Sequence, residues 1–462
     1  MVRHTVTRLQ ASGYRFLRRR MEYALACRDT RMLDDPIRNQ AIALTAGVVL
    51  AAIVLVACVA LALLRPHGSL GTDPIVMVRE SGALYVRVGD TLHPAPNLAS
   101  ARLIAGAPGL PRLVSAQMIA GAKDGPAMGI PGAPGTIAPA LEPDHTVWTV
   151  CDDDAGRTTV SIGPPADLPV ARPVLVTTAQ EHAPGVYLLH GGRRAAVDIR
   201  DRAAVRALRL DGVVPRRVSP ALLDILPDAT PITAPRIPGA GEPGPAALRD
   251  FRVGEVLRVP RADGADHYLV LADGVQRVER VAADLIRFAG THADRSIPDV
   301  AASRLAPVPV VQAVPVTDLR ETVAPGSTGA VLCARWHAQA GTSDPDTAVL
   351  TSAVLPAQHS LDLVQADGSG PRVDAVAVPA GRSAYVRAAG VAGDGVPAGP
   401  RYLVTGAGVA HGIGDSRDAA SLGLPQSPGL APWPLLALLP RGPELSAARA
   451  SVVRDSIIGA PS

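Results

Sequence analysis

The chain has 462 residues and a formal net charge of only +3, with 44 glycines, 44 prolines and 3% aromatic residues. Residues 1–40 hold nine arginines against four acidic residues, so the remainder of the chain is close to neutral. A near-neutral domain gives no electrostatic basis for binding nucleic acid. Gly and Pro alternate with short apolar stretches, which favours short strands and tight turns over disorder.

The N-terminal tail predicts a basic amphipathic helix. Its apolar residues fall at helical spacing, with three arginines between them: Tyr14, Leu17, Met21 and Leu25, with Arg18, Arg19 and Arg20. Such a helix lies on the inner leaflet of a membrane or on a partner protein. A plain charge cluster that sets membrane orientation is the alternative. The sequence Asp34-Asp35-Pro36 then predicts a helix N-cap with proline in the first turn.

An uncharged apolar run extends from Ala41 to Leu64. As a helix it rises about 36 Å, enough to cross a bilayer core of about 30 Å. Nine arginines precede the run and only Arg65 closely follows it. The positive-inside rule therefore predicts a cytoplasmic N-terminus and a large domain outside. The run is longer than a signal-peptide core, which favours a retained single anchor in the cell (inner) membrane.

The part of the chain beyond the anchor is too long for one simple core and suggests several lobes. The predicted parts are a cytoplasmic basic tail at 1–40, a transmembrane helix at 41–64, a linker at 65–78 and a periplasmic domain at 79–462, with core strands near 145–163 and 328–355.

The four cysteines divide by compartment. Cys27 lies in the tail, where the cytosol keeps thiols reduced, and Cys58 lies in the apolar run. Cys151 and Cys333 remain in the outer domain, where an even pair favours a disulfide. Two free thiols or half of a metal site are the alternatives.

A tryptophan accompanies each of these two cysteines. Trp148 lies three residues before Cys151, and Trp336 lies three residues after Cys333. Both segments are typical of strands, TVWTVC and AVLCARW. We expect two central strands joined by the disulfide, with both indoles in the core and packed near the sulfur atoms.

Four segments of the outer domain share a pattern of strand, Gly-bearing turn, second strand and helix. A tyrosine occupies the same place in each, at Tyr85, Tyr187, Tyr268 and Tyr402. The uneven spacing excludes a regular solenoid or propeller. The predicted fold class is a single-pass membrane protein with a mainly-β (α+β) periplasmic domain, in which four β-β-α-like repeats surround a central disulfide-linked β core.

The sequence contains no catalytic constellation. It lacks the GxxxxGK[ST] loop of P-loop ATPases and the HExxH pair of zinc proteases. Asp152-Asp153-Asp154 would suit a cation such as calcium, but a solvated hairpin turn is favoured because further ligands at loop spacing are missing. We therefore expect no cofactor and no metal site, and favour a non-enzymatic role.

The tail and several later segments resemble a known family. SGYRFLRRRMEYALACRDTRMLDDPIRNQ, from Ser12, is similar to the N-terminus of EccB, a component of mycobacterial and actinobacterial type VII (ESX) secretion systems. The WTVC and CARW contexts, the MGIPGAPG loop and the WPLLALLPRGPEL ending are similar to the same family.

The resemblance implies a structural core subunit of the ESX membrane complex, which anchors and assembles the machinery for protein export. It implies four partners, namely an EccC-type ATPase, EccD, EccE and the mycosin protease, and self-association through the periplasmic domain. Cytoplasmic docking would then involve residues of the tail: Tyr14, Phe16, Leu17, Arg18, Arg19, Arg20, Asp34, Asp35 and Pro36.

Two other functions remain open at this point. EccB proteins are sometimes labelled ATPases, so ATP hydrolysis outside P-loop chemistry is one alternative. A periplasmic cell-wall-binding module is the other, since the repeats could hold glycan.

Overall fold

The computed structural model describes most of the chain, over the ranges 7–28, 36–64, 71–178, 185–290, 296–320, 322–323, 329–339, 341, 344–356, 359–392 and 399–455. The described residues form two compact units. One holds the residues up to Gly71 together with Gln117–Ala120, and the other holds Thr72–Ala116 and the chain from Gly121 onward.

Two helices dominate the first unit, α1 (Arg8–Cys27) and α2 (Pro36–Leu64). Asp34 and Asp35 lie outside the described residues, and Pro36 is the first residue of α2. Within α2, the segment Asn39–Leu61 is long and apolar enough to cross a membrane, and it is the one such helix among the described residues.

The second unit contains a six-stranded sheet, named here the central sheet, and four sheets of three to five strands, named the outer sheets. Sheet 1 has the strand order β4-β1-β2-β3-β5. Its elements are β1 (Ile75–Val78), β2 (Leu84–Val88), β3 (Thr91–Ala95), α3 (Leu98–Ala105), β4 (Arg112–Val114) and β5 (Lys123–Asp124). Between β4 and β5 the chain forms α4 (Ala116–Ala120), of which Gln117–Ala120 belong to the first unit. The first three strands form an antiparallel meander, β4 returns parallel to β1, and β5 returns parallel to β3.

Sheet 1 changes two sequence-based expectations. β1 lies inside the segment predicted as a linker at 65–78, so the domain begins at β1 because this strand pairs with β2 and β4. Three strands precede α3 where two were predicted. The missed strand, β3, contains Pro94, which has no backbone N–H and is depleted from strands.

Sheet 2 has the strand order β11-β10-β9-β12. Its elements are β9 (Val174–Thr178), β10 (Val186–His190), β11 (Arg193–Ala196), α5 (Arg202–Leu208), β12 (Arg216–Val218) and α6 (Pro220–Asp224). β12 is parallel to β9, and the chain after α6 returns parallel to β11 through single bridges at Asp228 and Ile232.

Sheet 3 is a three-stranded meander, and the chain that follows it pairs with the sheet through single bridges. Its elements are β13 (Val256–Arg261), β14 (Gly264–Val270), β15 (Val275–Val278), α7 (Arg280–Ala289) and α8 (Ala302–Leu305). Asp299 forms a single parallel bridge to Arg258 of β13, and Val310 forms one to Val275 of β15. These bridges occupy the places of β4 and β5 in sheet 1.

Sheet 4 has the strand order β22-β21-β20-β23. Its elements are β20 (Ala384–Ala389), β21 (Arg401–Val404), β22 (Ala410–Ile413), α9 (Ser416–Leu422), β23 (Gly429–Pro432), α10 (Trp433–Leu438) and α11 (Ala447–Ala450). β23 is parallel to β20, and Arg441 and Leu445 form parallel bridges to β22.

The central sheet has the order β17-β16-β7-β8-β19-β18. Its strands are β7 (Val147–Asp152), β8 (Thr158–Gly163), β16 (Val331–His337), β17 (Asp346–Ser352), β18 (Leu361–Asp362) and β19 (Ala375–Ala377). A two-stranded ribbon joins β6 (Ala127–Met128) to β24 (Val453–Arg454), and short 3₁₀ helices occur at Pro143–His145 and Ala246–Leu248.

Three hydrophobic clusters join these sheets. The largest covers one face of the central sheet and includes Leu222 of α6 and Leu435 of α10. A second cluster packs α5 against α7, and a third packs α3 of sheet 1 against α9 and α11 of sheet 4. Burial of each such leucine contributes about 1.5–3 kcal/mol, so the outer sheets are held in pairs by their helices.

Helix ends in sheets 1, 2 and 4 share one geometry, with a left-handed residue after the last turn. Gly106 follows α3 with φ 67°, and Gly423 follows α9 with φ 83°. Arg209 follows α5 with φ 58°, a conformation that costs a residue with a Cβ about 1 kcal/mol or more. Arg209 is exposed, so no packing offsets that cost.

Replacing Arg209 by glycine should therefore raise the free energy of unfolding by about 1 kcal/mol. The matched control is Gly106→Arg, since a Cβ at Gly106 meets no atom within 4 Å and only the backbone conformation is penalised. We expect Gly106→Arg to lower stability by a similar amount. Guanidinium unfolding measures the change in the free energy of unfolding for each variant. A change in the same direction in both variants would contradict the explanation.

Candidate functional site

The disulfide lies at the centre of the central sheet. Cys151 of β7 and Cys333 of β16 are bonded, with their Cα atoms 4.1 Å apart and a sequence separation of 182. The two residues lie directly opposite each other in the antiparallel register of these strands. Both are buried among Val331, Ala348 and Leu350. Cys58, in contrast, is a free and exposed cysteine.

Trp148 and Trp336 also lie directly opposite each other, three positions along the same strand pair. Both are fully buried, in the cluster on the face of the sheet that includes Val150 and Ala334. Alternate residues of a strand point to opposite faces, so an offset of three separates the indoles from the sulfur atoms. The expectation that the indoles pack beside the disulfide is therefore wrong.

Each indole instead holds a neighbouring segment. Trp148 Nε1 donates to the carbonyl of Leu430 in β23 at 3.0 Å, and Trp336 Nε1 donates to the carbonyl of Val391 at 2.9 Å. A buried indole N–H needs such a partner. The two tryptophans thus connect the central sheet to the chain of sheet 4.

The four tyrosines lie in the middle strand of each meander: Tyr85 in β2, Tyr187 in β10, Tyr268 in β14 and Tyr402 in β21. All four are half-buried. Tyr402 stands beside Trp433, with ring centroids 6.3 Å apart, and the guanidinium of Arg441 lies over both rings.

The apolar side chains predicted for docking are exposed on α1. Tyr14 is 72% exposed, Leu17 59% and Phe16 57%. Met21, another apolar residue of the helical pattern, is 67% exposed. Arg18 pairs with Glu22 one turn later at 2.9 Å, while Arg19 and Arg20 are exposed. Unburied apolar residues of this size are typical of a surface that contacts a membrane or another protein.

Asp152 is a structural residue that the sequence analysis missed. It is 2% exposed, and the predicted solvated turn therefore begins at Asp153. Its carboxylate accepts the backbone N–H of Ser219 at 2.6 Å, and the hydroxyls of Ser219 and Thr158 at 2.9 Å. Burial raises the pKa of Asp152, while the bonds from Ser219 and Thr158 oppose that shift.

Ser219 is the N-cap of α6, and its hydroxyl accepts the N–H of Leu222 at 3.2 Å. Asp152 therefore positions the helix that packs on the tryptophan face. Arg216 reinforces this junction by donating to the carbonyls of Gly329 and Ala330, at 2.7 and 2.8 Å. A buried carboxylate followed by acidic turn residues carries no sequence signal that distinguishes it from a solvated one.

A groove of about 750 Å³ on sheet 3 is lined mainly by charged side chains. Its carboxylates already have arginine partners: Asp266 with Arg261 and Arg277, Asp284 with Arg287, Glu279 with Arg320, and Asp299 with Arg258. Burial lowers the pKa of His267 in the same groove. Within the described ranges, no group of three His, Cys, Asp or Glu residues is placed to hold a metal ion.

Within the described residues, a basic exposed helix, one helix long and apolar enough to cross a membrane and a β-rich domain with a disulfide are the features of a membrane protein with an N-terminal anchor. A family model described as "Type VII secretion system ESX-1, transport TM domain B" matches residues 3–459. The chain belongs to this family, EccB.

One relative, "ESX-3 secretion system ATPase EccB3" of Mycolicibacterium smegmatis, is 36% identical over 475 residues, which cover 98% of this chain and 91% of the relative. In the structure of an intact ESX-5 inner membrane complex, one chain matches all of this chain and 98% of its own length, with TM-score 0.70 and 32% identity.

Two further structures match most of the chain. One chain of the periplasmic assembly from the ESX-5 inner membrane complex covers 85% of this chain and 99% of itself, with TM-score 0.68 and 34% identity. A chain of the EccB3 dimer from the ESX-3 core complex covers 82% of this chain and 100% of itself, with TM-score 0.70 and 34% identity.

Removing the disulfide by Cys151→Ala with Cys333→Ala should lower the free energy of unfolding by up to about 5 kcal/mol, because the bond closes a long loop in the unfolded chain. Purified chain should also run faster on non-reducing than on reducing gels. The double variant, which has lost the cross-link, should run alike under both conditions. Unchanged unfolding would show that strand pairing alone holds the two halves.

Asp152→Ala should lower stability by about 3 kcal/mol, because the N–H and hydroxyl of Ser219 and the hydroxyl of Thr158 lose their shared acceptor. The matched control is Asp154→Ala, whose side chain is 72% exposed and pairs with Arg216 at 3.4 Å. We expect that control to change stability by less than about 0.5 kcal/mol. Urea unfolding compares the two, and equal losses would contradict the role given to Asp152.

Proposed function

We propose that this chain is a structural core subunit of a type VII (ESX) secretion membrane complex, where it anchors and assembles the export machinery. The observation that carries the proposal is the full-length match to a chain of an intact ESX-5 inner membrane complex. That match includes the N-terminal helices as well as the β-rich domain, so both candidate assembly surfaces are present together.

The proposed orientation is a single pass through the inner membrane, with the N-terminus in the cytoplasm and the β-rich domain in the periplasm. The arginine excess before the apolar run supports it. The likeness of the domain to a chain in an ESX-5 periplasmic assembly supports it as well. The proposed parts are then a tail at 1–40, an anchor at 41–64 and a periplasmic domain that begins at β1.

The four outer sheets are proposed to be repeats of one unit, with the order strand, strand, strand, helix, strand, helix, returning strand. Sheets 1, 2 and 4 support it, since in each the fourth strand runs parallel to the first. The parallel bridges of Asp299 and Val310 in sheet 3 occupy the corresponding places. The tyrosines support it too, because each lies in the second strand of its sheet.

The proposed partners lie on both sides of the membrane. α1 docks on the cytoplasmic faces of an EccC-type ATPase and EccD, while EccE and the mycosin protease belong to the same assembly. The exposed apolar side chains of α1 support the docking role. Self-association through the β-rich domain is supported by the similar chain in the EccB3 dimer.

Leu17→Ser with Met21→Ser should reduce co-purification of the membrane complex by at least tenfold, because the variant removes apolar contact area from one face of α1. Ser12→Gln is the control, since this residue lies on the opposite face of the helix. Affinity purification from detergent-solubilised membranes, followed by quantitative immunoblotting, measures the yield of partners.

Membrane levels of each variant must be equal before the comparison is made. Full co-purification of the Leu17/Met21 variant would contradict docking through this face. Deletion of residues 1–35 with the anchor retained extends the test to the whole tail, and an intact complex in that case would rule out tail docking altogether.

A further inference from the structure

In sheets 1 and 4, a histidine on the third strand forms a hydrogen bond to the chain that returns alongside that strand. His411 of β22 donates from Nδ1 to the carbonyl of Pro443 at 3.0 Å, and His93 of β3 donates to the carbonyl of Pro126 at 2.8 Å. We call residues 440–445 and 123–126 the return segments of these two sheets. Each lies parallel to the strand that carries the histidine.

The residue before each proline is a glycine that completes the contact. Gly442 N–H donates to the carbonyl of Ala410 at 3.0 Å, and Gly125 N–H donates to the carbonyl of Leu92 at 2.8 Å. A Cβ on Gly442 would overlap the imidazole of His411, and one on Gly125 would overlap that of His93. The ring therefore packs against bare backbone, and this close approach requires glycine.

In sheet 3, an uncharged amide side chain makes the corresponding contact with the returning chain. Gln276 of β15 occupies the place of the histidine, opposite the residue that follows the tyrosine. Its amide donates to the carbonyl of Val314 at 2.6 Å and accepts the N–H groups of Ala313 and Val314 at 3.0 and 2.9 Å. Sheet 2 has Ala195 at this place.

The two histidines differ in burial. His411 is 3% exposed, whereas His93 is half-exposed. Burial lowers the pKa of His411, and the bond to the Pro443 carbonyl opposes that shift only in part. Protonation of His411 in place would put an imidazolium inside the packed interior, which is unfavourable without a counter-charge.

Charged groups around His411 are engaged elsewhere. On the return segment, Arg441 lies over the rings of Tyr402 and Trp433, and Glu444 pairs with Arg449 of α11 at 3.5 Å. Among the ion pairs of the described residues, none involves His411.

The remaining charged or titratable groups lie on α9, β20 and β21. Asp415 and Asp418 accept backbone N–H groups at the start of α9, and Asp418 also accepts the N–H of Ala447 at 2.9 Å. Tyr385 and Arg387 of β20 share the face of the sheet with His411, and burial raises the pKa of Tyr385. Arg401 of β21 lies on that face too, opposite Ile413.

The return segment of sheet 4 leads directly into contacts with sheet 1. It continues into α11, which packs on α3, and into β24, which pairs with β6. Arg454 Nε donates to the carbonyl of Gly129 at 3.2 Å. A change at His411 therefore reaches the junction between the first and the last sheet.

We propose that His411 is an acid-sensitive latch, whose protonation releases residues 440–455 and loosens the contact between sheet 4 and sheet 1. In the closed state burial keeps the pKa of His411 below the ordinary value near 6.5 that applies in the opened state. The opened state therefore binds a proton at a higher pH than the closed state does, so falling pH favours opening. As pH falls from 7.5 to 5.0, the opening equilibrium should increase by up to about thirtyfold.

Hydrogen exchange of the full chain in detergent tests the latch at pH 7.5 and 5.0, after correction for the intrinsic effect of pH on exchange. The readouts are the amides of Gly442 and Leu445, which bond to Ala410 and Gly412 in sheet 4. We expect their protection to fall tenfold to thirtyfold at pH 5.0. The amides of Val311 and Val314, held by sheet 3, are the internal control and should fall less than twofold.

Two variants separate the latch from a general effect of acid. His411→Gln should make protection of Gly442 and Leu445 independent of pH, as an uncharged amide holds the chain in sheet 3. Gln276→His should make the amides of Val311 and Val314 acid-sensitive. The latch is overturned if wild type and His411→Gln lose protection equally, or if sheets 3 and 4 respond alike in the wild type. Should His411→Gln fail to fold, the wild type and Gln276→His still decide.

Discussion

The antiparallel pairing of β7 with β16 is the constraint on which the rest of the domain depends. These strands are 182 residues apart at the cysteines, and sheets 2 and 3 lie in the chain between them. Closing a loop of that length costs about 5 kcal/mol of chain entropy. Burial of each tryptophan contributes about 4–6 kcal/mol by its area, so the indole pair offsets that cost on one face. The disulfide acts from the other face by limiting the unfolded chain.

The spacing of tryptophan and cysteine in the two strands encodes the register of that pairing. In one strand the tryptophan precedes the cysteine by three residues, and in the other it follows by three. Antiparallel strands reverse direction, so placing Cys151 opposite Cys333 automatically places Trp148 opposite Trp336. The same offset of three, being odd, puts the two pairs on opposite faces. The residues were identifiable from sequence, and the error lay in treating neighbours in sequence as neighbours in space.

Local sequence patterns are sufficient to predict the helices and strands, but they do not predict how the returning chain pairs with each sheet. The α2 helix, the middle strands with their tyrosines and the helices after them follow from periodicity and turn residues. The returning chain does not, since in sheets 2, 3 and 4 it forms only isolated bridges and has no alternating pattern of its own. The role of Asp152 was also beyond sequence reasoning, because Ser219 and Thr158 reach its carboxylate through tertiary structure alone. The packing of α3 on α9 and α11 depends likewise on the central sheet bringing distant segments together.

A common framework with different local chemistry explains how the outer sheets can be alike in topology and unlike in behaviour. The strand order is fixed by main-chain pairing, which tolerates many side chains, while the residue that meets the returning chain is free to differ. It is histidine in sheets 1 and 4, alanine in sheet 2 and glutamine in sheet 3. The two histidine sheets are also the two that contact each other through α3 and α11. Sheet 1 is the first sheet after α2 in the chain, so titratable contacts are concentrated where the C-terminal segment meets the part of the domain nearest the anchor in sequence.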